Sequence, residues 1–370
     1  MNSMRWRDAM DLALYGPDGF FVTGAGPAAH FRTSVHASPV FTAALLRLLH
    51  QVDAALGHPP VLSVVDVGAG RGELLRALQP ALDPVPAAGV AAGSPPVEGT
   101  PAGPVPLATR VRLTAVERAA RPDDLPGSIG WVDEIPDGIV GLLIATEWLD
   151  NVPLDVAVHT GNGWRYLLVD PATGAESVGD PVDAADAGWL DRWWPRRAGE
   201  PADDAPPEAA GTGTGGPTGT WPGRAEIGRG RDEAWAEAVG RVARGLALAV
   251  DYGHLGGARP VDGTLTGYRA GRQVPPVPDG SCDVTAHVAI DSVAAAGARV
   301  ARCAYSLVSQ REALRALGAD GRRPPISLAG TDPAGYLRAL AAASTVAELT
   351  DPAGLGGHLW LRQPVGVDLG

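Results

Sequence analysis

Lysine is absent from the 370-residue sequence, and all 30 basic residues are arginine. This removes a Schiff-base lysine and a lysine phosphate anchor from the available chemistry. Because arginine replaces lysine throughout, the bias reads as the mark of a GC-rich genome rather than of a mechanism. Cysteine occurs twice, at Cys282 and Cys303, too few for a disulfide framework or a thiolate-based zinc site. The histidines show no ligand spacing, His30 and His36 reading as loop residues, so no metal is expected. No apolar run reaches the ~18 residues of a membrane helix, and the N-terminus MNSMRWRDAMDLALYG lacks the unbroken apolar stretch of a signal peptide. The expected compartment is the cytoplasm, with no membrane partner. A net charge of −12 disfavours phosphate backbones and anionic lipid, which excludes nucleic acid as an expected partner.

Glycine (49) and proline (34) together make up about 22% of the chain, against a usual ~12%, so long loops interrupt the fold. Hydrophobic residues still account for 45% and charged ones for 19%, enough apolar material for a large core. Helices are expected over 4–14 and 39–56, the second marked by Ser38 as N-cap, Pro39 at the first helical position, and Phe41, Leu45, Leu48, Leu49, Val52 and Leu56 on one face. From Val61 onward, short apolar runs alternate with helical patterns. That is the signature of a parallel sheet with crossovers. Strands are expected at 61–67, 111–117, 139–145, 246–251 and 299–307, a further one ending at Trp131–Val132, and a closing one around His358–Arg362. Helices are expected at 71–82, 231–244, 284–296, 309–317 and 333–348. Segment 154–169 reads as a hairpin turning at Gly161-Asn162-Gly163, laid onto or beside the sheet. Residues 83–107 and 195–223, nearly all Pro, Gly, Ala and Thr, read as surface excursions. The expected organisation is an N-terminal helical cap, 1–58, before one α/β domain, 59–370.

The first expected strand runs into Gly68-Ala69-Gly70-Arg71-Gly72-Glu73 and then a helix. Glycines at such a junction let the backbone turn tightly and approach a ligand, while the helix N-terminus offers free N–H groups. A dinucleotide fingerprint would need glycine at position 73, where Glu73 would repel a pyrophosphate. The pattern from Asp66 through Gly68 and Gly70 to Gly72 suits a cationic ligand with an amino-acid head group, as in S-adenosylmethionine. A nucleoside also needs a strand-end acid for its ribose, usually ~20 residues after the glycines. Glu117 lies 49 residues after Gly68, or 24 once the 25-residue excursion 83–107 is set aside, and is the expected ribose ligand. Asp133, past the next strand, is a candidate for the adenine amino group.

The apolar strand 139–145 ends in Thr146-Glu147-Trp148-Leu149-Asp150-Asn151-Val152-Pro153. If 147–150 forms a helical turn, Glu147 and Asp150 share a face and can grip a planar cation such as guanidinium. They are the candidate catalytic pair. Asp251, closing the strand 246–251, and Tyr252 read as lining the acceptor side or forming a turn. His287, with Asp283 four residues earlier on one helical face, is a candidate proton relay.

Taken in order, Tyr15-Gly-Pro-Asp-Gly-Phe-Phe21, Phe31-Arg-Thr-Ser34, Asp66–Gly72, Glu147–Pro153, Asp251-Tyr-Gly253, Gly263–Arg269 and Asp283–His287 carry a resemblance. The sequence resembles the MidA-like family of S-adenosylmethionine-dependent methyltransferases, whose mitochondrial member is a protein arginine methyltransferase assisting assembly of respiratory complex I. The resemblance implies a class I methyltransferase fold: a Rossmann-like, mostly parallel sheet with helices on both faces, an N-terminal helical cap and inserted hairpin and loops. It also implies S-adenosyl-L-methionine as cofactor, with Thr33 and Ser34 capping it. Thr146 before Glu147, Trp148–Leu149 in place of an aromatic pair, and His30 in place of an acid depart from the family pattern. The methyl acceptor is thus open between a protein arginine and a small molecule, with a non-catalytic cofactor-binding assembly factor as a third reading.

Overall fold

The computed structural model describes residues 3–23, 39–82, 105–195 and 223–369. Residues 24–38, which include His30, Phe31, Thr33, Ser34, His36 and Ser38, lie outside the described residues. So does most of both excursions, 83–104 and 196–222.

Seven strands form the main sheet: β1 (Leu62–Val67), β2 (Val111–Val116), β3 (Ile129–Val132), β4 (Ile139–Thr146), β5 (Val242–Asp251), β6 (Ser306–Ser309) and β7 (Leu359–Val365). Their order across the sheet is β6-β7-β5-β4-β1-β2-β3. Strands β5, β4, β1, β2 and β3 pair in parallel, and β7 runs antiparallel to both its neighbours. Strands buried on both faces must be apolar throughout, and Leu142 to Ala145 are accordingly all buried. On one face, Phe41, Leu45, Leu48 and Leu49 of helix Pro39–Ala55, with Leu74 and Leu78 of helix Glu73–Leu82, pack on Val64, Leu142, Ile144 and Trp360. On the other, Trp235 and Val239 of helix Arg229–Gly240 and Val293 of helix Ile290–Ala301 meet Val65, Leu143 and Ala247. The fold is therefore α/β, with mixed sheets and helices on both faces of the largest one. The order in which strands are added reverses between β1 and β4: β2 and β3 lie to one side of β1, and β4 to the other. A crevice opens there, beyond the carboxyl ends of the strands.

A buried bidentate pair braces one flank. Arg110 donates from Nη1 and Nη2 to the two oxygens of Asp53, both at 2.7 Å, and from Nε to the Val105 carbonyl. The guanidinium bonds hold the Asp53 carboxyl below the usual carboxylate range.

The hairpin forms as its turn signal predicts, with Asp155–Thr160 and Gly163–Val169 paired and Thr160 opposite Gly163. It lies beside the main sheet, at the centre of a separate antiparallel sheet completed by Met4–Arg5, Glu176–Pro181 and Arg224–Ile227. Both of its faces are covered. Val156, Val158, Leu167 and Val169 pack on helix Trp6–Tyr15, while Ala157 and Tyr166 pack on Trp189 and Leu190.

Two expected elements are displaced. The run 299–307 is not one strand: helix Ile290–Ala301 continues to Ala301, ends on Arg302 in the left-handed region (φ 53), and leaves β6 only Ser306–Ser309. Gly297, where a Cβ would sit 2.6 Å from Trp235 Nε1, and Ala301, packed on the Trp235 cluster, carry the helix past 296, where periodicity alone ended it. The helix expected from 284 begins only at Ile290, because Asp283–Thr285, buried throughout, is a strand paired with Thr266–Arg269. Asp283 and His287 therefore do not share a helical face.

Candidate functional site

The glycine turn leaves β1 with Gly68 and Gly70 at φ +69° and +58°, the left-handed region where a Cβ is strained. A Cβ on Gly68 would also sit 2.8 Å from Trp148 Cδ1, so the indole of the acidic motif packs directly on the bare backbone. The Gly68 and Ala69 N–H groups donate to the Val116 carbonyl at 3.0 and 3.2 Å. This brings the turn beside the end of β2, where the Gly70 N–H donates to Glu117 Oε2 at 3.0 Å. Glu117 Oε1 accepts from the Arg118 and Ala119 N–H groups at 2.7 and 3.3 Å. Burial raises the Glu117 carboxyl above its ordinary range, against the lowering effect of these three backbone donors. The excursion before β2 thus separates Glu117 from the glycines in sequence but not in space.

Beyond these strand ends lies a cleft of about 570 Å3, within the roughly 300–1,000 Å3 of small-molecule sites. Gly68, Gly70, Glu117, Asp133, Glu147 and Trp148 line it, and Tyr15 and Phe21 close one side. Asp66 does not reach it. It is buried in β1, and desolvation, reinforced by Glu73 and Glu117, raises its carboxyl well above the ordinary value. Asp133 is exposed at the cleft rim.

Glu147 and Asp150 are not brought to one face. The helical turn starts later than expected, as a 3-10 turn at Leu149–Asn151. Glu147 precedes it in the left-handed region at φ +49°, which turns its side chain to the cleft. Strain of this kind persists only where surrounding contacts over-determine it. Here those contacts are a buried polar frame around Asp150. Asp251 Oδ2 accepts from the Leu149 and Asp150 N–H groups at 3.0 and 3.3 Å. Asp150 Oδ2 accepts from the Tyr252 hydroxyl and from Thr285 Oγ1, the latter at 2.8 Å. Arg231, itself buried, donates from Nη2 to the Asp150 carbonyl and from Nε to that of Val152 at 3.0 Å. Asn151 Nδ2 donates to Asp283 Oδ1 at 2.7 Å. Asp150 is thus an internal anchor facing away from the cleft, and Asp251 caps the turn. His287 is exposed, edge-on to the Tyr252 ring with centroids 5.1 Å apart.

Residues 44–307 match the family described as "Putative S-adenosyl-L-methionine-dependent methyltransferase". The chain belongs to that family. This methyltransferase shares its fold with a COG1565-superfamily protein from Burkholderia thailandensis whose crystal structure holds S-adenosyl-homocysteine. That likeness has 22% identity and a TM-score of 0.71, over 99% of this chain and 89% of that one. A second crystal structure of a COG1565-superfamily protein from the same organism aligns with 23% identity and a TM-score of 0.67, over 99% and 88% of the two chains. No curated protein matches the sequence of the methyltransferase significantly. Among the described residues, no helix is long and apolar enough to cross a membrane, and no group of three or more His, Cys, Asp and Glu could hold a metal ion.

Sequence reading missed Arg231, Thr285 and His358 in this methyltransferase. Arg231 sits in the first turn of an ordinary helix, so nothing local marks it. Thr285 lies in a family-like stretch, but its partner Asp150 could not be seen without the fold.

The buried carboxyls make stability depend on pH. Burial first, and then the charge of Asp150, pushes Asp283 up to about 8, whereas an unfolded Asp titrates near ~4. The native chain therefore binds a proton at Asp283 that the unfolded chain releases. That stability is fully present below about pH 4 and is lost as pH rises through about 8. Urea unfolding at pH 7, 8 and 9 is expected to show falling stability, by at most about 1.4 kcal/mol per pH unit for this group. Asp283→Asn is expected to reduce that slope.

Proposed function

We propose that the cleft binds S-adenosyl-L-methionine in a class I methyltransferase arrangement and that the enzyme methylates the guanidinium of a protein arginine. The observation that carries this reading is the Gly70–Glu117 hydrogen bond at 3.0 Å, which joins a side-chain-free turn to a strand-end carboxylate at the switch point of the sheet. The residues present fit the cofactor. Gly68 and Gly70 leave the wall free of Cβ atoms, and a carboxylate with about four acceptor sites retains, beyond its three backbone donors, one site on Oε2 for a ribose hydroxyl. Acidic neighbours suit a sulfonium. The strand order with an antiparallel β7, and the Burkholderia thailandensis structure holding S-adenosyl-homocysteine, support the same reading.

Bound S-adenosylmethionine supplies a methyl group on a cationic sulfur whose departure leaves a neutral thioether. The chain's own residues bind and align the acceptor. Gly68 and Gly70 would admit the cofactor, Glu117 would hold its sugar, and Asp133 at the rim would hold its base. Trp148, Tyr15 and Phe21 wall the cleft, excluding water. Glu147 orients the guanidinium and takes up, on a carboxylate oxygen, the proton released by the methylated nitrogen. Asp150 contributes by fixing the turn behind Glu147.

Incubating the enzyme with methyl-labelled S-adenosylmethionine and a cell lysate, followed by acid hydrolysis, is expected to give labelled methylarginine in the protein fraction. Glu147→Gln is expected to reduce the incorporation about 100-fold or more. Label confined to small metabolites would reject the protein-arginine acceptor.

A further inference from the structure

The antiparallel direction of β7 has a functional consequence. Parallel strands deliver their C-terminal residues to the crevice, but β7 delivers the residue at its start, and Leu359 pairs with Asp251 at the end of β5. His358, just before it, therefore arrives beside the acidic motif from the far end of the sequence. Its backbone is fixed: the His358 carbonyl accepts from the Gln310 N–H at 2.7 Å, and its own N–H donates to the Leu355 carbonyl at 3.1 Å. The ring is buried, tilted against Tyr252 with centroids 5.5 Å apart. Among the described residues, Nδ1 is buried without a hydrogen-bond partner, and it lies 3.9 Å from Glu147 Oε1.

We propose that His358 is the positioning residue of Glu147: its Nδ1–H donates to the Glu147 carboxylate and keeps that carboxylate directed at the methyl acceptor. This rests on the acceptor role given to Glu147 above. A neutral imidazole has one donor and one acceptor nitrogen, and a lone pair aimed at a carboxylate would be repulsive, so the site selects the Nδ1–H tautomer. Burial first, and then the neighbouring His287, lowers the ring to about 4, which keeps it neutral at pH 7. The separation exceeds a hydrogen bond by about 1 Å, a gap that closes as the loaded cleft tightens, as catalytic hydrogen bonds commonly do.

The test reads the tautomer directly. At pH 7 with saturating S-adenosyl-homocysteine, 15N NMR of the wild-type chain is expected to show His358 as the Nδ1–H form, and Glu147→Ala to return it to the Nε2–H form. An Nε2–H ring in the wild type, or a tautomer indifferent to Glu147→Ala, overturns the proposal. In the methyl-transfer assay, His358→Leu is expected to lower kcat about tenfold with KM for S-adenosylmethionine unchanged. His358→Asn, whose Nδ2 takes the place of Nδ1, is expected to recover most of the loss. Added to Glu147→Ala, His358→Leu is expected to cost nothing more, and additive losses overturn the coupling. If the tautomer follows Glu147 while Glu147→Ala leaves methyl transfer intact, the hydrogen-bonded pair is upheld and the acceptor role of Glu147 falls.

Discussion

Gly70→Val is expected to abolish S-adenosylmethionine binding, weakening it at least about 100-fold in calorimetry. Gly70 sits at φ +58°, where a β-branched residue is a steric outlier costing of order 1–3 kcal/mol. The chain can relieve that strain only by rotating the turn, which takes the Gly70 N–H away from Glu117 Oε2. The backbone that should approach the cofactor and the carboxylate that should hold its sugar are then displaced together. Two isopropyl methyls also project into the lining of the cleft. The expected pattern is a large loss of affinity with a thermal midpoint lowered by only several degrees, since the turn lies at the rim of the core. Glu117→Ala is expected to weaken binding about 10- to 100-fold while leaving the turn in place. Wild-type affinity in Gly70→Val would show that the cofactor sits elsewhere.

The largest effect on stability is expected from Arg231→Met. Arg231 donates to four backbone carbonyls, those of Asp150, Val152, Ala286 and His287. The first two belong to the acidic motif and the last two to the segment after Asp283–Thr285. A methionine keeps roughly the volume of the side chain but leaves these acceptors without their donor, and leaves Asp150 without the nearby cation that lowers its raised carboxyl. Breaking a buried charged arrangement from one side costs about 3–5 kcal/mol. Urea unfolding should register a loss of that size through a lower midpoint at unchanged slope. Because the frame holds Glu147 in its left-handed conformation, Arg231→Met should also reduce methyl transfer at temperatures where the chain remains folded. A stability change within 1 kcal/mol would show that the frame relaxes around the missing guanidinium.

Most of the parallel sheet was legible because its strands are buried on both faces, which leaves continuous apolar runs in the sequence. The stretches Leu62–Val67, Val111–Val116 and Ile139–Thr146 needed no tertiary information. The glycine turn was legible for a related reason: glycine adopts such φ values without the strain a Cβ brings, so a run of glycines signals the backbone conformation. Glu117 was located by counting around an excursion whose composition marks it as outside the core. The boundary at 299–307 was not legible, since alanine-rich sequence with scattered valine and arginine serves a helix and a strand about equally until Trp235 supplies a surface for it.

The sequence by itself determined the α/β class, the glycine turn after the first strand and the acid that accompanies it, because each depends on local backbone sterics or on burial of a contiguous run. Tertiary structure alone decided the roles of the second set of acids. Glu147 and Asp150 are chemically alike and three residues apart, and no local signal distinguishes the one facing the cleft from the one facing inward. That choice was made by Tyr252, Thr285, Asp251 and Arg231, which converge on Asp150 from three other segments and bond its Oδ2 and its backbone in the interior. A buried carboxylate is tolerated only where distant chain supplies its partners, so its place is a property of the fold and not of its neighbours in sequence.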